Sequence, residues 1–353
     1  MALLLASGSA AAQLRISGTV DGGVEYVSTG APGQAGSVRV SSGSARPSRI
    51  VVEGTEAIGA QLSARFYLDA GFWSDIGSIY PTGPGSTGIF GRRSVVGLDS
   101  RRWGSLMLGR EYTPQFWVGL KADVAGNAYY GNTVNRSHAN SVRASNAVEY
   151  TSPSLGGWTV VALWSAGAVA GNNGNEAASA PLDEGRQRAA SLDYQDERWL
   201  LAGAYGTTMV RDPFDATRTV ATSDATVAAK YRAEGWTFNA SWGHVRPVTI
   251  EQDYTVWMAG VLRPLSLRDQ LGLQVSHSRQ RHPGAADSTE LVASMHLTRN
   301  LAPRTQIYAN YARQRNSANS AAPMIAGIGP NQIVPPVAGT TLQVLLLGMS
   351  HHF

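Results

Sequence analysis

Leu62-Ser63-Ala64-Arg65-Phe66-Tyr67-Leu68-Asp69-Ala70 alternates without a break. Leu62, Ala64, Phe66, Leu68 and Ala70 fall on one face; Ser63, Arg65, Tyr67 and Asp69 fall on the other. A two-residue period of this kind belongs to a β-strand with one apolar and one polar face. It recurs at Trp236, where Trp236, Phe238, Ala240 and Trp242 oppose Thr237, Asn239, Ser241 and Gly243. It recurs again at Leu271, where Leu271, Leu273 and Val275 oppose Gly272, Gln274, Ser276 and Ser278. Helix-period stripes are rare along the chain, so the fold class is all-β.

Sixteen such segments can be laid out, beginning near residues 13, 46, 58, 89, 105, 142, 157, 187, 198, 223, 236, 252, 269, 288, 303 and 340. Most are close to the 9–11 residues of a tilted membrane strand. Their connections alternate in length. Short ones fall at 54–57, 99–103, 152–156, 196–197, 233–235, 264–268 and 300–302, and longer ones include 29–45, 74–88, 114–141, 167–186, 208–222 and 316–339. A soluble β-sandwich would share the alternation. An even strand count with short turns on one side and long loops on the other is the pattern of a transmembrane barrel. The expectation is a 16-stranded antiparallel transmembrane β-barrel with short periplasmic turns and long outer loops, residues 13–353 forming one domain. A barrel of that size keeps an aqueous lumen.

Composition agrees. Only 15% of the 353 residues are charged, against roughly 25% in ordinary soluble domains. Yet mean hydropathy is −0.14, and no stretch supplies the roughly 20 apolar residues of a membrane helix. An outer face in lipid and an inner face in water average to this value. The 9 Trp and 13 Tyr suit interface girdles, with Trp73, Trp103, Trp158, Tyr150 and Tyr311 near expected strand ends. The absence of Cys removes disulfide scaffolds, thiol enzymes and cysteine-ligated metals. All but two of the 29 basic residues are arginines, the exceptions being Lys121 and Lys230. The charge of +4 is spread without a dense basic block, which gives nucleic-acid binding little support.

Met1–Ala12 (MALLLASGSAAA) is a short apolar run closing on small residues, the end of a secretory signal peptide without its charged segment. Residues 1–12 are therefore expected to be a remnant of an export signal.

Catalytic and metal-binding motifs do not stand out. The seven histidines show no chelating spacing, and His351 and His352 point to opposite faces of a strand. There is no nucleophile elbow, phosphate-binding Lys loop or dinucleotide fingerprint. Gly171–Asn175 reads as a loop tip, and Asn135-Arg136-Ser137 matches a glycosylation triplet by chance. No enzyme and no cofactor is expected. A barrel hydrolase built on His244 or His277, a soluble β-rich binding protein and a substrate-specific channel remain as rivals.

At Phe353 the chain resembles a known family. Counting back in twos from Phe353 gives His351, Met349, Leu347 and Leu345; a terminal Phe closing an amphipathic strand is similar to the signal that outer-membrane barrels present to their assembly machinery. Ser48–Glu56 (SRIVVEGTE), Phe90–Leu98 (FGRRSVVGL), Leu108–Pro114 (LGREYTP) and Asn140–Pro153 (NSVRASNAVEYTSP) agree. Together they resemble the general trimeric porins of Gram-negative outer membranes, nearest the β-proteobacterial subgroup. The resemblance implies a homotrimer of water-filled channels for passive diffusion of small hydrophilic solutes and ions. Its surroundings would be outer-membrane lipid and lipopolysaccharide. It implies a third loop, about 114–141, folded into the pore as a constriction, with wall arginines facing acidic residues across a gap. Carried over by motif, the wall arginines are Arg49, then Arg92 or Arg93, then Arg143; the acidic side is Asp69 and, on the loop, Asp123. This chain lacks the Pro-Glu-Phe-Gly tetrapeptide of enterobacterial relatives in that loop. The alternation by itself puts Arg49, Arg65 and Arg143 on polar faces and leaves the choice between Arg92 and Arg93 open. Arginines gathered at one height would favour anions.

Overall fold

The computed structural model describes residues 13–353 apart from 80–87, 127, 132–141, 168–182, 213, 216, 247–252 and 327–330. The expected signal remnant (1–12), Asn135–Ser137 and the loop tip at Gly171–Asn175 lie outside the described residues.

Strand β1 (Gln13–Ser28) is joined by a second barrel strand in two pieces. One piece, β2 (Ser37–Ser42), pairs with its loop-side half; the other, β3 (Arg49–Ala57), pairs with its turn-side half. An antiparallel meander follows: β4 (Leu62–Gly71), β5 (Arg93–Ser100), β6 (Gly104–Tyr112), β7 (Arg143–Thr151), β8 (Trp158–Ser165), β9 (Gln187–Gln195) and β10 (Trp199–Arg211). It continues through β11 (Thr219–Ala233), β12 (Trp236–Arg246), β13 (Tyr254–Pro264), β14 (Asp269–Gln280), β15 (Ser288–Ala302) and β16 (Thr305–Asn316). A small hairpin, β17 (Met324–Ile325) with β18 (Gln332–Ile333), stands in the next loop. Finally β19 (Thr341–His352) pairs with both β16 and β1 and closes the sheet. With β2 and β3 sharing one position, the seventeen sheet strands make a closed barrel of sixteen.

Closure satisfies every ladder and leaves no open edge, as a lipid environment requires. The faces are inverted relative to a soluble protein. On β14 the covered positions are Gln274, Ser276 and Ser278, while Leu273 and Val275 are exposed outward. The apolar outer face continues through Leu291, Met295 and Leu297 on β15 and Leu345, Leu347 and Met349 on β19.

Two boundaries differ from the alternation. The turn expected at 54–57 lies at 58–61, because β3 runs on in register to Ala57↔Ser63. Gly54, read as a turn residue, is a strand residue that leaves no room for a Cβ under the Phe66 ring. The loop expected over 29–45 contains β2, whose Val38 and Val40 face outward. The chain then turns inward at Gly43 (φ +73°), a left-handed conformation that glycine adopts without strain. The third loop contains a helix, α1 (Pro114–Ala122), which the periodicity did not show.

Candidate functional site

On β3–β7 the inward row follows from the register. Arg49 lies opposite Gly71 and Val51 opposite Asp69; Asp69 is opposite Arg93, and Thr55 opposite Arg65. At the loop-side end of this wall, Arg49 Nη1 donates to Asp69 Oδ2 (3.3 Å), and Arg92 Nε donates to the same oxygen (3.2 Å). Arg93 Nε donates to Glu111 Oε2 (2.6 Å), and its guanidinium lies 4.7 Å over the Tyr67 ring. Arg92 and Arg93 therefore both enter the cluster: Arg93 from the inward row of β5, Arg92 from just before it, fully buried. The β6–β7 register shifts at Gly109–Glu111, so Arg143 pairs with Tyr112 beyond the inward row. Arg143 Nη2 donates to the Tyr112 hydroxyl (3.0 Å), and its guanidinium sits 4.5 Å over that ring, with Arg92 at 6.0 Å. Arg65 stands apart. It is two inward positions below Asp69, about 13 Å along the strand, and pairs with Asp99 (3.5 Å).

The third loop forms the facing side. Thr113 caps α1, its hydroxyl accepting from Phe116 N (3.4 Å), and Pro114 supplies a first-turn residue that needs no donor. Val118 packs into Leu200, Ala202, Ala204 and Ala228 on β10 and β11, and Gln115 Nε2 donates to Asp224 (2.8 Å). Beyond the helix, Tyr129 stacks on His296 at 4.8 Å. The Tyr130 hydroxyl donates to Glu25 on β1 (3.0 Å) and accepts from Arg39 on β2 (2.8 Å). Burial first, and the Glu25 carboxylate second, push the Tyr130 phenol above its ordinary value. The later loop folds in as well, bridging Ala326 to Tyr130, with Asn331 Nδ2 donating to Ser44 Oγ (2.9 Å).

Two expectations are corrected. Asp69 does not face the arginines across the gap; it is on their wall, covered between Arg49 and Arg92. Asp123 does not project from the loop. It caps the end of α1, accepts from Ala125 N (2.9 Å) and Gln274 Nε2 (3.2 Å), and Lys230 Nζ donates to its carbonyl (3.1 Å). The helix dipole disfavours a negative charge at the C-terminal end of α1, so the Asp123 carboxylate depends there on its donors from Ala125 and Gln274. The charged group that α1 does expose is Lys121, which donates to Asp193 Oδ2 on β9 (2.8 Å). Glu111, Glu25, Arg39 and Lys121 were not singled out from sequence. Lys121 and Lys230 carried a signal, as the two lysines of an arginine chain; Lys121 belongs to this loop and Lys230 on β11 lies against it.

The rival histidines are outward. His244 follows Trp242 on the outer row of β12, with Nδ1 3.1 Å from Thr255 Oγ1, and His277 follows Val275 on β14. Two strand histidines face inward: His296, buried under Tyr129, and His352 at the end of β19, whose Nδ1 lies 2.8 Å from Thr19 Oγ1. Among the described residues no group of acidic or histidine side chains is placed to hold a metal ion. Phe353 exchanges backbone hydrogen bonds with Gly18 (3.1 and 3.2 Å), and its exposed ring lies over that glycine.

Comparison with known proteins places this geometry. A family model described as Gram-negative porin matches residues 1–319. Outer membrane porin protein 32 of Delftia acidovorans is 33% identical over 169 residues, 45% of this chain and 46% of that protein. An outer membrane porin protein of Bordetella pertussis is 34% identical over 113 residues, 31% of this chain and 28% of that protein. The alignments thus span less than half the length of these curated relatives. Among solved structures, an anion-selective porin from Comamonas acidovorans superposes with a TM-score of 0.80 at 21% identity, covering 97% of this chain and all of that one. OmpT of Vibrio cholerae, in its trimer form, superposes with a TM-score of 0.69 at 11% identity over 97% and 100%. The chain is a β-barrel of the Gram-negative outer membrane and belongs to the Gram-negative porin family.

Proposed function

We propose that the barrel is a water-filled channel through which small hydrophilic solutes and ions diffuse passively, with anions favoured, and that it performs no catalytic step. The observation that carries the sign is an asymmetry of exposure within the inward-facing ion pairs. Arg49 is 37% exposed and Asp69 1%; Arg93 is 18% exposed and Glu111 1%. Lys121 is 39% exposed and Asp193 9%; Arg39 is 38% exposed and Glu25 0%. In each pair the carboxylate lies beneath and the cation meets the water. A passing ion therefore meets cationic groups on the wall and on the loop, although formal charges nearly balance. Arg65 and Asp99 are about equally exposed and add little of either sign.

Three further assignments accompany this reading. Arg49, Arg92, Arg93 and Arg143 form the basic side of the constriction, with Arg65 a lower wall residue. Phe353, exposed at the end of the outward row of β19, is the assembly signal read by the barrel-assembly machinery. The protein works as a homotrimer, a reading that the trimer form of the Vibrio protein supports by analogy of fold. Planar-bilayer recording under a KCl gradient tests the main claim: conductance in steps of three with a chloride-favouring reversal potential is expected. A potassium-favouring potential would overturn the selectivity, and a saturable block by one solute would favour a substrate-specific channel.

A further inference from the structure

The side of α1 turned away from the wall carries side chains that the ion pairs of the pore leave unexplained. Gln115 and Val118 face β10 and β11, where Gln115 bonds Asp224 and Val118 packs among Leu200, Ala202, Ala204 and Ala228. At about 100° per residue, Trp117, Leu120 and Lys121 fall away from that side. Burial agrees: of the described side chains of α1 these three alone are not buried, Trp117 and Leu120 being half-buried and Lys121 exposed. Phe116, nearest to them in angle, is covered by the Tyr112 ring stacked on it at 4.6 Å. Positions three and four apart on a helix are neighbours, about 5–6 Å between Cβ atoms. An indole, an isobutyl group and an ammonium therefore form one patch. The indole is held by edge contacts with Tyr112 at 5.3 Å and Phe116 at 5.8 Å. Lys121 uses one of its three N–H donors on Asp193. The facing wall repeats the combination of ring and cation, with Arg93 lying 4.7 Å over half-buried Tyr67.

We propose that this patch is a binding subsite for aromatic monocarboxylates, the ring seated on Trp117 and Leu120 and the carboxylate on the remaining N–H groups of Lys121. The inference rests on the reading of the barrel as a channel that favours anions, and it names a solute class for that channel. A cation by itself would take any anion. A ring fixed four residues from the cation selects a solute that has both features, because aromatic pairs add a preference beyond the area they cover. A compact inorganic anion leaves the indole and Leu120 unused. An aromatic cation meets Lys121 on the loop and Arg93 on the wall, and a sugar finds one donor group beside two apolar side chains.

The test records chloride current through the detergent-purified native oligomer in planar bilayers, titrated with benzoate, cyclohexanecarboxylate or acetate as the probe. Benzoate is expected to half-block the current at roughly a tenth of the acetate concentration, since acetate has no ring to cover. Against cyclohexanecarboxylate, of like charge and size, the advantage of benzoate should be about two- to tenfold. W117L, which keeps an apolar side chain and removes the ring, is expected to bring those two probes together, and W117F to restore most of the difference. K121Q is expected to weaken block by all three carboxylates and leave their order unchanged. Equal block by benzoate and acetate, or by benzoate and cyclohexanecarboxylate, would overturn the proposal and leave the channel standing. So would a benzoate preference that W117L does not alter. Absence of any chloride current from the wild-type protein would overturn the channel reading itself, and the subsite with it. Heat-modifiable migration checks that each variant is folded; should W117L fail that check, K121Q and the three probes on the wild-type protein still decide.

Discussion

At the residue scale, the sign of the pore depends on which member of each ion pair reaches water. A charge about 4 Å from a passing ion is worth on the order of 1 kcal/mol in a water-like medium. Removing one exposed cation should therefore lower the chloride-to-potassium permeability ratio about two- to fivefold. Arg143→Ala and Arg49→Ala are expected to do this at the loop-side end of the wall. Arg65→Ala, lower and matched by Asp99, is expected to change the ratio less than either, and reversal potentials under a KCl gradient rank the three. Lys121→Glu should produce the largest shift toward potassium, since it reverses the charge that α1 presents; a shift no larger than that of Arg65→Ala would show that the loop side does not contribute. The sequence showed Arg49, Arg65 and Arg143 because alternation puts them on polar faces. What alternation does not show is the register shift between Gly109 and Glu111 that sets Arg143 opposite Tyr112. The burial of Asp69 and Asp123 was likewise hidden, because it depends on donors from distant segments: Arg92 for one, and Gln274 and Lys230 for the other.

At the scale of elements, strands were legible and the loop interior was not. Strand positions follow from a rule that acts every two residues, so most expected segments coincide with β-strands to within a few residues. Helix α1 is nine residues long, below the length at which an apolar stripe stands out, although Thr113-Pro114 is a start signal that could have been read. Packing of Val118 and the Gln115–Asp224 bond hold the helix to the wall, and Tyr130 fixes the far end of the described loop to β1 and β2. Tyr130→Phe removes the donor to a fully buried Glu25 carboxylate, a loss of about 1–3 kcal/mol. The expected result is a less firmly held loop: larger current fluctuations in single-channel recordings, with heat-modifiability retained. Quiet channels from Tyr130→Phe would mean that Arg39 and Ser44, which also bond Glu25, are enough. The phenol's raised value gives the sign for pH. The stability it lends is complete below about 10, the ordinary tyrosine value, and is lost as pH rises through the higher folded value. This contact should not loosen the loop on going from neutral pH to about 9.

At the scale of the whole molecule, the barrel separates two electrostatic regimes. Its outer face meets lipid, where a charge has no screening; its lumen holds electrolyte, where screening is set by salt. The Debye length is about 10 Å at 0.1 M and about 3 Å at 1 M ionic strength. At the lower concentration the fields of Arg49, Arg93, Lys121 and Arg39 reach across a lumen narrowed by the third loop; at the higher one each is confined to its own neighbourhood. A preference arising from exposed cations over buried carboxylates must therefore weaken as salt rises. The chloride preference of the native oligomer should be greatest at or below about 0.1 M KCl and fall steadily toward 1 M, while conductance per channel grows. A preference that stayed constant over this range would instead require an ion to shed water and bind at a fixed site, selectivity by coordination and not by field. The same titration on Lys121→Glu sharpens the distinction: if the field account holds, wild type and variant converge at high salt, because both lose the term in which they differ.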